Sequence, residues 1–423
     1  MESIYNPLKL SVYRPLFREK KVLIIGSGAV GSYAAENIAK MGASVCLVDF
    51  DSFTLENAAK HSGVVRTPED VGRYKAICVA ERIRPLLEEG CVSHGVAADL
   101  CMLGPEVIAS YDGVILCVDN YAAKALFNDL YMSIPEERRP IVIMDGTHEE
   151  MAQSVILDGK EFCLRCLLDE KWLENGAART SCSGAQIREI DGVQEIIRTS
   201  GLASSIAANL SAEQFRAAVI GADQVMNRRV TYTAYPHFEL SVSRPMPKKN
   251  CPGCHIKPPK EIRKLTGSVF DVTLGEALNQ ISESLETRDF EIAVHSLFYK
   301  NVMYAGFILE DVCHACGKPI TVMRHEGRTF LEDLRCEDCI REKKHARRDV
   351  DFPPGRIEYA LTEKSDPRLM SMKLFELGYP LGAHIRVIQR NGAFDFLDMD
   401  RITTTVFTCA DDPAQFYNVE HLR

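Results

Sequence analysis

No run of about 18 apolar residues occurs in the 423-residue chain, so no membrane-spanning helix is expected. The first residues, Met1-Glu2-Ser3-Ile4-Tyr5, lack the charged-then-apolar pattern of an export signal, and a cytoplasmic protein is expected. Positive charge is also in short supply. The formal net charge is −9, which argues against a sequence-blind nucleic-acid binder. What is present is 46% apolar residues, enough for a folded globular protein, over a length that exceeds one core and implies two or three domains. Fifteen cysteines occur. Eight of them fall in CxxC pairs, and without a secretion signal that pattern favours metal over disulfides.

Lys21-Val22-Leu23-Ile24-Ile25 reads as a buried parallel strand. It ends in the turn Gly26-Ser27-Gly28-Ala29-Val30-Gly31, followed by a helical pattern from Ala34 to Met41 and a second strand, Val45-Cys46-Leu47-Val48, closed by Asp49. Strand, glycine turn, helix, strand and acid within about 30 residues form a nucleotide-binding fingerprint. Glycines let the backbone approach phosphate, the helix start offers free N–H groups, and Asp49 can accept from ribose hydroxyls. Two further strands run into Asp119 and Asp145, placing both acids at the carboxyl edge where ligands of open α/β sheets bind. Taken alone, the turn fits an NAD- or FAD-linked oxidoreductase equally well.

Three later segments shift that balance. They are Asp49-Phe50-Asp51-Ser52-Phe53-Thr54-Leu55-Glu56-Asn57-Ala58-Ala59-Lys60-His61, then Asp70-Val71-Gly72-Arg73-Tyr74-Lys75, then Asp119-Asn120 after a strand. In order and spacing they resemble the ThiF/MoeB/HesA adenylyltransferases and the adenylation domains of ubiquitin-activating enzymes, across roughly residues 20–255. The resemblance implies a Rossmann-like, mostly parallel sheet flanked by helices, binding ATP and Mg²⁺. It implies cofactor contacts at Gly26, Gly28, Gly31, Asp49, Asp51, Asn57, Lys60, Lys75, Asp119 and Asn120. Among these, Asp49 would hold the ribose, Asn57 and Lys75 the phosphates, and Asp119 the Mg²⁺, with Lys75 and Asp119 catalytic. The family has an arginine where this chain has Lys60, a point charge in place of a fork; Arg66 and Arg73 are candidate substitutes. The family's R-Y-x-R-Q segment before the first strand is absent, and Arg14 and Arg18 are the candidates for its arginine. His61 and His148 can line the site, and packing roles suit them as well.

Cys163/Cys166 and Cys251/Cys254 have the spacing of zinc knuckles, separated by about 85 residues, so the pair would staple a long excursion back onto the nucleotide domain. Cys313/Cys316 and Cys336/Cys339 are separated by 19 residues, within the range of a zinc ribbon. Two structural Zn²⁺ are therefore expected, because four thiolates leave no open position for catalysis. Cys182, within Thr180-Ser181-Cys182-Ser183-Gly184, stands in a small, polar stretch that reads as a mobile loop. In some members of the resembled family a cysteine here accepts the activated carboxyl as a thioester. A loop thiol of no function is the alternative. Arg179 nearby would favour the thiolate.

Two domains are expected: residues 1–256, the adenylation domain that the resemblance implies, with its four-cysteine site, and residues 257–423, read from alternating apolar residues and cysteine spacing as a smaller α+β module holding the ribbon at about 310–342. In the module, 257–264 reads as a linker, 270–278 as strand then helix, and 357–361, 370–377 and 385–388 as strand, helix and strand, with one more strand at 394–397. The reading adopted is an activating enzyme that adenylates the C-terminal carboxylate of a ubiquitin-like or sulfur-carrier protein ending in glycine. It would work as a homodimer, with or without a thioester on Cys182, and a conjugating enzyme is a further partner by analogy. The rivals are a sulfur-carrier adenylyltransferase of cofactor synthesis, an NAD-linked oxidoreductase and a non-catalytic scaffold. No rhodanese loop is visible, which leans toward conjugation.

Overall fold

The computed structural model describes residues 14–57, 61–62, 69–119, 121–148, 151–168, 186–190, 193–197, 200–222, 225–234, 238–294, 297–299, 302–304, 306–325, 329, 333–346, 355–390, 402–412 and 415. It divides into two compact units. Among the described residues the first gathers 14–100, 107–258 and 415, and the second 101–106 and 259–412.

The first unit is built on an eight-stranded sheet. Its early elements are β1 (Lys21–Ile25), α1 (Ala29–Met41), β2 (Ser44–Val48), α2 (Lys75–Ile83) and β3 (Ser93–Val96). Then come β4 (Gly113–Leu116), α3 (Tyr121–Met132), β5 (Ile141–His148) and β6 (Met151–Leu157). A separate hairpin, β7 (Gln186–Ile190) with β8 (Val193–Ile197), precedes α4 (Gly201–Val219), β9 (Arg228–Thr233) and β10 (Glu239–Ser243). The strand order is β10-β9-β6-β5-β4-β1-β2-β3. The five strands from β5 to β3 are parallel, and β6, β9 and β10 extend them antiparallel. The sheet is thus mostly parallel and Rossmann-like.

The uninterrupted apolar runs of β1 and β4 follow from burial on both faces. Val22, Ile24 and Ile115 pack with Ala34, Ile38, Ala207 and Phe215 of α1 and α4 in one core. Leu23, Ile25, Val114 and Leu116, alternating with them, are equally buried. Sequence order reverses between β1 and β4, which creates the crevice at their carboxyl ends where ligands of such sheets bind.

The second unit holds a five-stranded sheet of order β11-β20-β19-β12-β18. These are β11 (Ile262–Leu265), β12 (Phe290–Ala293), β18 (Ala360–Leu361), β19 (Ile385–Arg390) and β20 (Ile402–Cys409). Helix α5 (Leu274–Leu285) starts with a reciprocal capping box between Thr273 and Glu276. The unit also holds a short hairpin, β13 (Leu297–Tyr299) with β14 (Val302–Tyr304), a three-stranded sheet of β15 (Phe307–Val312), β16 (Pro319–His325) and β17 (Arg356–Glu358), and a short helix at Glu337–Arg341.

Several expectations for this region need correction. The linker at 257–264 contributes β11, which pairs in parallel with β20. The strand expected at the start of 270–278 is a turn, with only Thr273 bridging to Lys373. The helix expected at 370–377 does not form. Leu274 N–H donates to Met372 O, and Leu374 N–H donates to Val272 O. Those backbone groups are spent on a neighbouring segment, and a 3₁₀ turn at Pro367–Ser371 is what remains. The strand at 357–361 is two short strands in different sheets. The strand expected at 394–397 lies outside the described residues.

Candidate functional site: a nucleotide crevice and two thiolate clusters

The glycine turn lies in the crevice between β1 and β4, and its three glycines answer to different constraints. Gly26 has φ +91°, and a Cβ there would meet Cys117 O at 2.9 Å. A Cβ on Gly31 would fall 1.9 Å from Gly26 O. Both positions are closed to any side chain by the packing of turn, helix and β4. A Cβ on Gly28 would meet nothing within 4 Å, so that glycine faces open space. Gly28 also caps α1 without a side-chain hydrogen bond. The first N–H groups of α1 therefore need acceptors from elsewhere, which is the electrostatic requirement for a phosphate site.

Asp49, just beyond β2, is held by two backbone donors. Ser27 N–H donates to Oδ2 at 2.7 Å, and Asp51 N–H donates to Oδ1 at 2.8 Å. Burial pushes its carboxyl up to about 6, against the opposing field of Lys75. Lys75 opens α2 and is itself buried. Its N–H donates to Asp51 O at 2.8 Å, and its Nζ pairs with Asp51 Oδ2 at 3.1 Å. The structure thus gathers Gly28, Asp49, Asp51 and Lys75 at one mouth, although 24 positions separate Asp51 from Lys75. Asn57 lies on the same excursion, where its Oδ1 accepts from Thr54 N–H at 3.1 Å and closes a turn. Asp119 is exposed three residues past β4, at the entrance to α3.

The candidates to replace the family arginine fare unequally. The Arg73 guanidinium is committed to Asp70 and Glu81, and the buried Asp70 carboxylate also pairs with Arg82. His61 is buried edge-on to Phe53. Arg18 is exposed. Lys60, Arg66, Asn120, Arg179 and Cys182 lie outside the described residues, as do the side chains of Arg14 and His148.

Asp145 does not end its strand. It sits inside β5, which continues to His148, and is 3% exposed. Ser211 of α4 donates to its Oδ2 at 2.5 Å. The Cys117 thiol lies 3.8 Å away, and Oδ1 has no partner. Burial pushes this carboxyl up to about 7 and raises the Cys117 thiol as well. Sequence reasoning counted Asp145 as an edge acid, because no local signal shows that β5 runs three residues further.

The eight CxxC cysteines form two clusters, Cys163/Cys166/Cys251/Cys254 and Cys313/Cys316/Cys336/Cys339, each with all four sulfurs within 4.8 Å of one another. In the first, Sγ separations are 3.7 Å for Cys163–Cys251, 3.4 Å for Cys166–Cys254 and 3.5 Å for Cys254–Cys163. In the second, Cys316 and Cys336 are 3.7 Å apart, and Cys336 N–H donates to Cys313 Sγ at 3.2 Å. A tetrahedron with Zn–S bonds of about 2.3 Å has edges of about 3.8 Å, so both donor sets fit zinc in size and chemistry. None of the eight is in a disulfide.

A Rossmann-like sheet, a glycine turn at its switch point and a four-thiolate cluster of a size that fits zinc define a nucleotide-binding fold. The ThiF family matches residues 13–255, more than half of the chain, and the chain belongs to that family. It is 33% identical over 113 residues to the "Adenylyltransferase and sulfurtransferase uba4" of Aspergillus clavatus, a match covering 26% of this chain and 23% of that protein. It is 30% identical over 150 residues to the "Adenylyltransferase and sulfurtransferase MOCS3" of Caenorhabditis briggsae, covering 34% and 36%. The chain thus spans well under half the length of these curated relatives. Among solved structures, that of E. coli MccB with ATP superposes with a TM-score of 0.44 at 15% identity, covering 59% of this chain and 70% of that one. So loose a superposition does not bear on the chemistry. Among the described residues no helix is long and apolar enough to cross a membrane.

Proposed function

We propose that this protein is an ATP-dependent activating enzyme. It adenylates the C-terminal carboxylate of a ubiquitin-like or sulfur-carrier protein ending in glycine, with release of pyrophosphate. The observation that carries the reading is the Asp49–Asp51–Lys75 constellation beside the open Gly28 turn. An oxidoreductase has use for the turn and for Asp49, but not for a buried lysine aimed at the same mouth. In this reading Asp49 accepts from the ribose, and the first N–H groups of α1 take a phosphate. Lys75 and Asn57 flank the remaining phosphates, with Lys60 and Asn120 beside them. ATP brings the leaving pyrophosphate, and Mg²⁺ held by Asp119 would shield its charge. Lys75, now paired with Asp51, is placed to turn to the charge that builds as the carboxylate attacks the α-phosphate.

The same reading assigns residues 1–256 to the adenylation domain and 257–423 to an accessory module. It takes the protein as a cytoplasmic homodimer with two structural zinc ions. The relatives named adenylyltransferase and sulfurtransferase favour a second form of the reading, in which the carrier receives sulfur and Cys182 forms no thioester. Titration calorimetry decides between ATP and NAD. Binding of Mg·ATP with no binding of NAD is expected, and the reverse overturns the proposal.

A further inference from the structure

The first thiolate cluster is joined to the nucleotide crevice by one helix. Helix α3 begins two residues after Asp119, and its C-terminal end is clamped. Arg139 donates to Met132 O at 3.1 Å, Ile134 O at 2.9 Å and Gly159 O at 2.6 Å. Midway along the helix stands Asn128, a fully buried amide. A buried amide is costly unless its hydrogen bonds are made, and Asn128 makes them toward the metal site. Its Oδ1 accepts from the N–H of Arg165, between Cys163 and Cys166, at 3.3 Å. Its Nδ2 donates to Asp129 Oδ1 at 3.2 Å, and the same Asp129 oxygen pairs with the Arg165 guanidinium at 3.5 Å.

The other knuckle closes on the same group. A Cβ on Gly253, between Cys251 and Cys254, would lie 2.7 Å from Asn128 Nδ2, 2.8 Å from Arg165 Cδ and 2.8 Å from Cys163 Sγ. Both CxxC loops therefore rest against one side chain, and that side chain belongs to the helix that begins two residues after the acid expected to hold Mg²⁺. Seven residues separate Asn128 from the helix start, about 10 Å along the axis.

We propose that Asn128 is a positioning residue that couples zinc held by Cys163, Cys166, Cys251 and Cys254 to the placement of α3 and Asp119. Loss of that zinc loosens the nucleotide site, and nucleotide binding tightens hold of that zinc. Groups around a metal's own ligands orient them and commonly govern metal retention. Coupling of two binding events is reciprocal, so the zinc reports on the nucleotide without any activity assay. The proposal rests on the ATP reading above.

The second cluster, Cys313/Cys316/Cys336/Cys339, is an internal control. The protein is challenged with a zinc chelator and a thiol alkylator, with and without Mg·ATP, and alkylation of each cysteine is followed by peptide mass spectrometry. In wild type, Mg·ATP is expected to slow alkylation of the first cluster by about five-fold or more and to leave the second unchanged. Asn128→Ala is expected to lose that protection. If Asn128→Ala does not fold, Asn128→Asp takes its place, since it keeps the acceptor for Arg165 N–H and loses the donor to Asp129. Calorimetry on the same samples separates the failures. Mg·ATP binding without selective protection of the first cluster, or protection that persists in the variant, overturns the coupling alone. Absence of Mg·ATP binding overturns the nucleotide reading and the coupling with it.

Discussion

Replacing Asp145 by Asn should stabilise the protein, and more so as the pH rises. The carboxyl is 3% exposed, and the Ser211 hydroxyl and the Cys117 thiol donate to its Oδ2 while Oδ1 has no donor. Burial lifts its folded-state value from an ordinary 3.8 to about 7. A group raised on folding contributes stability that is complete below its unfolded value and is lost as the pH rises through the folded one. For Asp145 that window runs from about 4 to about 7. Three units correspond to roughly 4 kcal/mol as a ceiling above pH 8, and the change between pH 5.5 and 8.5 is about 2 kcal/mol. Asn keeps the acceptor for Ser211 and cannot ionise. The assay is thermal unfolding of wild type and Asp145→Asn at both pH values. Only the difference between the proteins is used, so zinc loss and other titrations cancel. The Tm advantage of Asn should grow from pH 5.5 to pH 8.5. A constant difference, or one that shrinks with rising pH, refutes the argument.

Two further outcomes follow from the thiols. Elemental analysis of protein purified under reducing conditions should find two zinc ions per chain, and chelation should lower the melting temperature, since each ion closes a loop; one ion or none defeats the two-site reading. If Cys182 takes the carrier, a carrier-linked band that requires ATP and is destroyed by thiol reductant should appear on a non-reducing gel. Cys182→Ala should abolish that band while pyrophosphate exchange continues.

Much of the crevice was legible in the sequence because its parts are local. The glycine turn, the acid closing β2 and the segment opening α2 each carry their own pattern, and the sheet brings them together. What local patterns do not carry is where backbone hydrogen bonds go over long range. The 370–377 segment has the apolar spacing of a helix, yet its backbone pairs with residues 272–274. The 257–264 segment looks like a linker until β20 offers β11 a partner 144 positions away, as between Ile262 and Val406. Asp145 and Asn128 were missed as a buried acid and a buried amide for the same reason. Their partners Ser211 and Arg165 are 66 and 37 positions away, and nothing at either position alone signals burial. The eight cysteines were the opposite case, since CxxC spacing fixes half of each cluster locally.

The central claim is adenylation, and its direct measurement is ATP–pyrophosphate exchange with a small ubiquitin-like protein ending in Gly-Gly that copurifies with this chain or is encoded beside it. Wild type should exchange only when that carrier is present. Lys75→Ala and Asp119→Ala should each lose about 10²-fold or more while remaining folded, because each removes a charge that acts on the reacting phosphates. Exchange at wild-type rates in either variant, or none by wild type with any Gly-terminated carrier, would contradict the account.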